Sequence, residues 1–226
     1  KNTEMVRIAQ QTIIEYYKND MGKYNKQSEI PKTKIVYKNI STQLAKENKK
    51  FQYKNIKSGG RAAEFENAIE WLCLAGVASQ LYRIEQIALP LNAYRSLSDF
   101  KFYMNDVGLC GAIQNIHFDD IERDNPLLYN FKGGLTENYV FNQFTSNRFD
   151  LYYWKSGNQA EIDFIVRISE NIIPVEVKSS DNTRSRSLSV YMNKYEQAYS
   201  IRLSMKNFGF ENGIKSVPLY AIFCIK

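Results

Sequence analysis

The sequence predicts a mixed α/β protein of the α+β kind, with helices gathered in its first part and strands in its second. Apolar residues recur at helical spacing through the first 76 positions, and β-type alternation dominates from Leu151 to Val177. A Ser156-Gly157-Asn158 turn signature joins two of the alternating runs as a hairpin. The 226 residues and 44% hydrophobic content support one large core or two modest ones.

Taken in order, Thr3 to Lys18 reads as a helix, with Met5, Ile8, Ala9, Ile13 and Tyr16 on one face. Asn19 to Pro31 is polar and reads as a linker. A second helix is expected from Ile40 to Lys49 and a third from Arg61 to Ala75, ended by Gly76. Val77 to Leu89 and Phe100 to Met104 alternate as strands, with Pro90 and Asn92 between them. Three helices followed by a β-hairpin is the winged-helix order. The acidic segment Asn105 to Asn130 reads as a junction, dividing the chain into domains at 1–110 and 111–226. Beyond it, a helix opened by Gly133-Gly134 covers Leu135 to Phe144. Strands follow at Leu151–Lys155, Ile162–Ile168 and Ile172–Val177, then a helix over Leu188–Tyr199 and strands at Ser200–Ser204 and Val217–Phe223. The predicted order of this second part is α-β-β-β-α-β-β.

A strand's two-residue period puts Glu176 and Lys178 on one face of Pro174-Val175-Glu176-Val177-Lys178. If the preceding strand pairs antiparallel, Asp163 faces Glu176. Two close carboxylates suit Mg²⁺, or Mn²⁺, and a neighbouring lysine can orient an attacking water. That combination is phosphodiester hydrolysis chemistry. Glu137 on the helix adds a candidate ligand, so the expected catalytic set is Glu137, Asp163, Glu176 and Lys178, with Asp163, Glu176 and Glu137 on the metal. Glu161, at the start of its strand, ranks behind Asp163 as a ligand. Taken alone, a Glu-x-Lys on an amphipathic strand is a solvated cross-strand pair.

Several runs carry a family resemblance: Gly133-Gly134-Leu135-Thr136-Glu137, Tyr153-Trp154-Lys155, Glu161-Ile162-Asp163-Phe164, Pro174 to Lys178, Arg186-Ser187-Leu188 and Pro218-Leu219-Tyr220. Together they resemble the C-terminal domain of a group of prokaryotic AAA+ family ATPases, a domain similar in fold to the PD-(D/E)xK, restriction-endonuclease-like nucleases. Upstream, Lys50-Phe51-Gln52-Tyr53, Trp71-Leu72, Ala75-Gly76, Phe100 to Tyr103 and Asp106-Val107-Gly108-Leu109 resemble the winged-helix region that links ATPase and nuclease-like domains in that group. The resemblance implies a fragment of a longer ATPase, an expectation matched by the absence of Met at position 1. No G-x-x-x-x-G-K-[ST] loop occurs, so ATP is expected to act only through an ATPase domain outside this sequence. Two functions stay open: a Mg²⁺-dependent nuclease, and a non-catalytic DNA-binding or regulatory module that keeps the fold.

Charge points toward nucleic acid. The net +6 lies in the first 110 residues, which hold 17 Lys and Arg against 11 Asp and Glu. DNA or RNA is the expected partner, with Lys46, Lys49, Lys50, Lys54 and Lys57 as contacts and Arg184 and Arg186 as a phosphate clamp beside the metal. A lysine-rich solvated face is the plain alternative. The helix at 61–75 carries Glu64, Glu66 and Glu70, which repel phosphate, so it is expected to pack on protein. The tyrosines are scattered and predict no stacking platform. No run suits a membrane span and no signal peptide is visible, which gives a cytoplasmic expectation. Cys73, Cys110 and Cys224 read as buried free thiols, and His117, the lone histidine, as a loop or core residue.

Overall fold

A computed structural model describes residues 2–46, 49–123, 125–157, 159–179 and 186–226. The chain divides into two compact units, one of residues 1–80 with 102–135 and one of residues 81–101 with 136–226. The expected break near 110 therefore falls inside the first unit.

In the first unit α1 (Thr3–Tyr24) starts where the Asn2 side chain accepts from the Met5 amide at 3.2 Å. It continues into the first part of the expected linker, and it buries Ile14 and Met21. The apolar face counted from the sequence stays largely exposed, with Met5 66% and Tyr16 63% accessible. The second helix, α2 (Ile30–Leu44), begins ten residues earlier than predicted. Pro31 is the cause: it sits in the first turn, where its fixed φ suits a helix and its missing amide proton is no loss. Val36, Tyr37, Ile40 and Leu44 of α2 are each at most 1% exposed and pack on α1, on α3 (Ala62–Leu74) and on α4 (Val107–Ile113).

Gly76, at φ +68°, ends α3 as predicted. The Val77 amide reaches back to the Leu72 carbonyl and the Gly76 amide to that of Cys73, each at 3.0 Å, so the last turn's carbonyls are satisfied. The segment read as a junction holds α4 and the short α5 (Phe118–Glu122), with exposed His117 at the head of α5.

Strands β1 (Ala78–Ile84) and β2 (Arg95–Met104) lead into a single sheet with β3 (Leu151–Ser156), β4 (Ala160–Ile168), β5 (Asn171–Val177), β6 (Ser200–Ser204), β7 (Gly209–Glu211) and β8 (Ile214–Pro218). The sheet order is β2-β1-β3-β4-β5-β6-β8-β7, so the architecture is α+β as predicted. β3, β4 and β5 form an antiparallel meander, and β6 lies parallel to both β5 and β8. α6 spans Tyr129–Ser146, and α7 spans Arg186–Lys194.

Gly133-Gly134 lies inside α6 instead of opening it, and a Cβ on Gly134 would collide with the Leu44 carbonyl. That glycine is therefore set by close packing. On the other side of the chain α7 covers β4 and β5, and Leu188 and Tyr191 join Trp154, Ile162 and Ile165 in one core cluster. α7 ends at Lys194, short of the predicted Tyr199, and the last predicted strand is β8 followed by a 3-10 helix over Leu219–Cys224. The three cysteines are free thiols as expected, with Cys110 buried and Cys73 half-buried, but Cys224 is exposed. No described helix is long and apolar enough to cross a membrane.

Candidate functional site

A bulge in β4 shapes the site. Tyr152 pairs with Ile165 and Trp154 with Ile162, so two residues of β4, Asp163 and Phe164, stand against Tyr153 alone. Ile162 and Ile165 thereby both enter the cluster under α7, while the Phe164 ring meets Phe144 of α6 with centroids 6.0 Å apart. On the other side Phe164 pairs with Val175, a register that sets Asp163 opposite Glu176. The predicted facing of Asp163 and Glu176 is thus present. The Val177 amide also donates to Asp163 Oδ2 at 2.8 Å.

Sequence reasoning missed the residue at the centre of the cluster, Lys101 of β2. Its ammonium lies 2.7 Å from Glu137 Oε1, 2.7 Å from Glu161 Oε1 and 4.0 Å from Asp163 Oδ1, and it sits 4.9 Å from the Tyr153 ring centroid. Both Lys101 and Glu137 are 1% exposed. An ammonium removed from water costs several kcal/mol unless charges and hydrogen bonds compensate it, and the two carboxylates at contact distance do so. One signal was available: Phe100-Lys101-Phe102-Tyr103-Met104 places a lysine in an otherwise apolar strand, and β2 is buried from Phe100 to Met104. A lysine buried with its strand needs a carboxylate partner.

The carboxylates answer differently to this environment. Burial alone would raise the Glu161 pKa, but the charge and hydrogen bond of Lys101 outweigh it and hold the carboxyl below its ordinary value. Burial raises the Glu176 pKa, only partly offset by Lys178, whose ammonium donates to Glu176 Oε1 at 2.5 Å. The second oxygen, Glu176 Oε2, is buried and has no hydrogen-bond partner among the described residues. A buried carboxylate oxygen with nothing to accept from is costly and asks for a proton or a cation.

Does a divalent ion fit here? Glu137, expected as a third ligand, instead accepts from Lys101. Among the described residues no three acidic, histidine or cysteine side chains are grouped to hold a metal ion. A site of two carboxylates, Asp163 and Glu176, does fit, because Mg²⁺ keeps most of its waters and needs only one or two protein oxygens. The orphaned Glu176 Oε2 is the group such an ion would satisfy.

The five lysines expected to contact nucleic acid lie in the first unit. Lys46, Lys54 and Lys57 are exposed, while Lys49 and Lys50 are half-buried. Lys57 pairs with Glu64 at 2.8 Å. Arg186 is exposed at the start of α7, and Arg184 lies outside the described residues.

A profile for a domain of unknown function, DUF8612, matches residues 1–120, more than half of the chain. The chain belongs to that family. A second profile, for the domain of unknown function DUF4143, matches residues 132–222. Lys101 thus lies in one match, and Glu137, Glu161 and Asp163 in the other. No curated protein matches the sequence. Against the crystal structure of protein VC1899 from Vibrio cholerae, the identity is 13% over 100% of this chain and 55% of that one, with a TM-score of 0.26. The chain thus spans about half the length of that protein, and the likeness carries no argument.

Proposed function

We propose that the chain carries a Mg²⁺-dependent phosphodiesterase site acting on nucleic acid, built on Asp163, Glu176 and Lys178. The observation that carries this reading is the orphaned Glu176 Oε2, buried beside the Lys178 ammonium and opposite Asp163. Asp163 and Glu176 would hold the ion, which when bound supplies Lewis-acid stabilisation of charge on the phosphoryl oxygens. Lys178 orients the attacking water through its ammonium and keeps Glu176 Oε1 fixed. Lys101 acts one layer behind, holding Glu137 and Glu161 in place as a positioning residue. A DUF4143 domain commonly follows an AAA-type ATPase, which supports placing such an ATPase beside this chain in the full protein.

A second reading has its own observation. Lys101 bridges Glu137 and Glu161 from within, with Lys155 on the second oxygen of Glu161, as expected of a fold that has replaced an ion by side chains and now serves as a non-catalytic binding or regulatory module.

Cleavage assays on single- and double-stranded DNA and RNA with Mg²⁺ and Mn²⁺ separate the two, run with Glu176→Gln and Lys178→Ala proteins in parallel. The nuclease reading expects metal-dependent cleavage lost in both variants, and Mn²⁺ binding by calorimetry lost in Glu176→Gln. No cleavage and no Mn²⁺ binding by the wild type, tested also with its ATPase attached, leaves the module reading.

A further inference from the structure

At the far edge of the sheet β7 and β8 form a tight antiparallel hairpin. Asn212 and Gly213 join them, both left-handed at φ +51° and +73°, and Glu211 pairs with Ile214 across a two-residue turn. Asn-Gly is the preferred composition for that turn, because both positions need positive φ. Large apolar side chains at and just before this hairpin face water: Phe208 is 62% and Phe210 68% exposed.

Phe208 stands just before β7, and within the strand Phe210 pairs directly with Lys215. The Lys215 ammonium also lies 4.3 Å from the centroid of the Tyr199 ring. Phe208, Tyr199, Lys215 and Lys226 line a cleft of about 450 Å³. Its size falls within the usual range for a small ligand.

Charge decides which ligand. From Met205 to Lys226 the chain carries Lys206, Lys215 and Lys226 against Glu211 alone. The larger cleft of the first unit, about 840 Å³, has the opposite sign, with Glu4, Asp119 and Asp120 against Arg7. Exposed aromatic rings alternating with ammonium groups suit a chain that alternates flat bases with phosphates.

We infer that the cleft between the β7–β8 hairpin and the C-terminal segment binds single-stranded nucleic acid, a base stacking on Phe208 and its phosphates meeting Lys215 and Lys226. The inference rests on the nucleic-acid part of the reading above and not on cleavage. It names the substrate class as single strands, since stacking on an exposed ring needs a base free of its duplex.

Fluorescence anisotropy in EDTA tests it on the whole chain, with a fluorescein-labelled oligothymidylate and a duplex of equal length as probes. Tighter binding of the single strand is expected, weakened about 5- to 100-fold by Phe208→Ala. Lys215→Ala should lower the salt slope by roughly 0.7, one phosphate contact on a single strand. Leu127→Ala, at a residue 91% exposed in the first unit, should change nothing. Equal affinity in wild type, Phe208→Ala and Lys215→Ala overturns the inference, as does preferred duplex binding indifferent to both. A dimer that Phe208→Ala converts to monomer, with nucleic-acid affinity unchanged, assigns the patch to self-association and overturns it too. Binding without cleavage defeats only the phosphodiesterase reading, whereas no binding to either probe defeats the inference.

Discussion

Glu137 and Glu176 are both acidic side chains almost wholly removed from water, at 1% and 4% exposure, yet their surroundings differ. Glu137 meets a buried ammonium that also bridges to Glu161, and Lys155 pairs with the other oxygen of Glu161 at 3.4 Å, so two ammonium groups balance two carboxylates. Glu176 has Lys178 on one oxygen and no described partner on the other. The first environment is that of a structural ion pair, and the second is that of a group with a valence to spare. Burial of a carboxylate is therefore no guide to its role; what it accepts from is.

The largest effect expected from this contrast falls on the balanced side. Lys101→Met should destabilise the protein by about 3–5 kcal/mol in urea unfolding, because Glu137 and Glu161 lose their shared counter-charge. Adding Glu137→Gln and Glu161→Gln should restore a good part of the loss, since the penalty comes from the charges left behind. A loss below 1 kcal/mol in the single variant would break the comparison at its root.

On the other side the expected change is a gain. Mn²⁺ at about 100 times its dissociation constant should stabilise the wild type by roughly 2.7 kcal/mol, and Glu176→Gln should abolish that increment. If Asp163 and Glu176 hold no ion, the melting temperature will not respond to metal in either protein.

Acidity sharpens the comparison further, because the two shifts have opposite signs. Glu161 titrates below its ordinary value of 4.5, so its ion pair contributes stability above that pH and loses it as pH falls through the lowered value. The cost of Glu161→Gln should be full at neutral pH and shrink in acid. Glu176 titrates above 4.5, so its ionised form is a burden once pH rises through the raised value. Glu176→Gln should therefore gain stability, relative to wild type, between acid and neutral pH. Thermal melts across pH 3 to 8 read both signs, and parallel behaviour of the two variants would contradict the distinction drawn here.

How much of this was legible in the sequence follows from where the determining information sits. The meander β3–β4–β5 and the Asp163–Glu176 juxtaposition were legible, because alternation and turn residues are local signals. Gly76 as the stop of α3 was legible for the same reason. The start of α2 lies inside the stretch read as a polar linker, because Pro31 occupies a first turn there. Gly134 was misread because the Leu44 carbonyl it accommodates is remote in sequence. The β4 bulge and Lys101 escaped for a related reason: Lys101 stands 36 residues from Glu137, and no local pattern says which strand a helix carboxylate will meet. The Asn212-Gly213 turn is a local signal as well, an Asn-Gly pair with both residues at positive φ.

The smallest predicted effect tests whether the lysine-rich segment of the first unit has a role beyond solvation. Lys57 and Glu64 form an exposed pair at 2.8 Å, and water screens such pairs so strongly that they contribute about 0–1 kcal/mol. Lys57→Ala should leave stability within that range. If the segment contacts phosphates as its charge suggests, Lys46→Ala and Lys54→Ala should each weaken binding to any nucleic acid alike and lower the salt slope, with no preference between single strand and duplex. That uniform response is the opposite of the strand preference expected from Phe208. A selective loss of single-strand binding in the lysine variants would mean that the base-reading surface lies in the first unit, and would leave the β7–β8 hairpin without the role assigned to it.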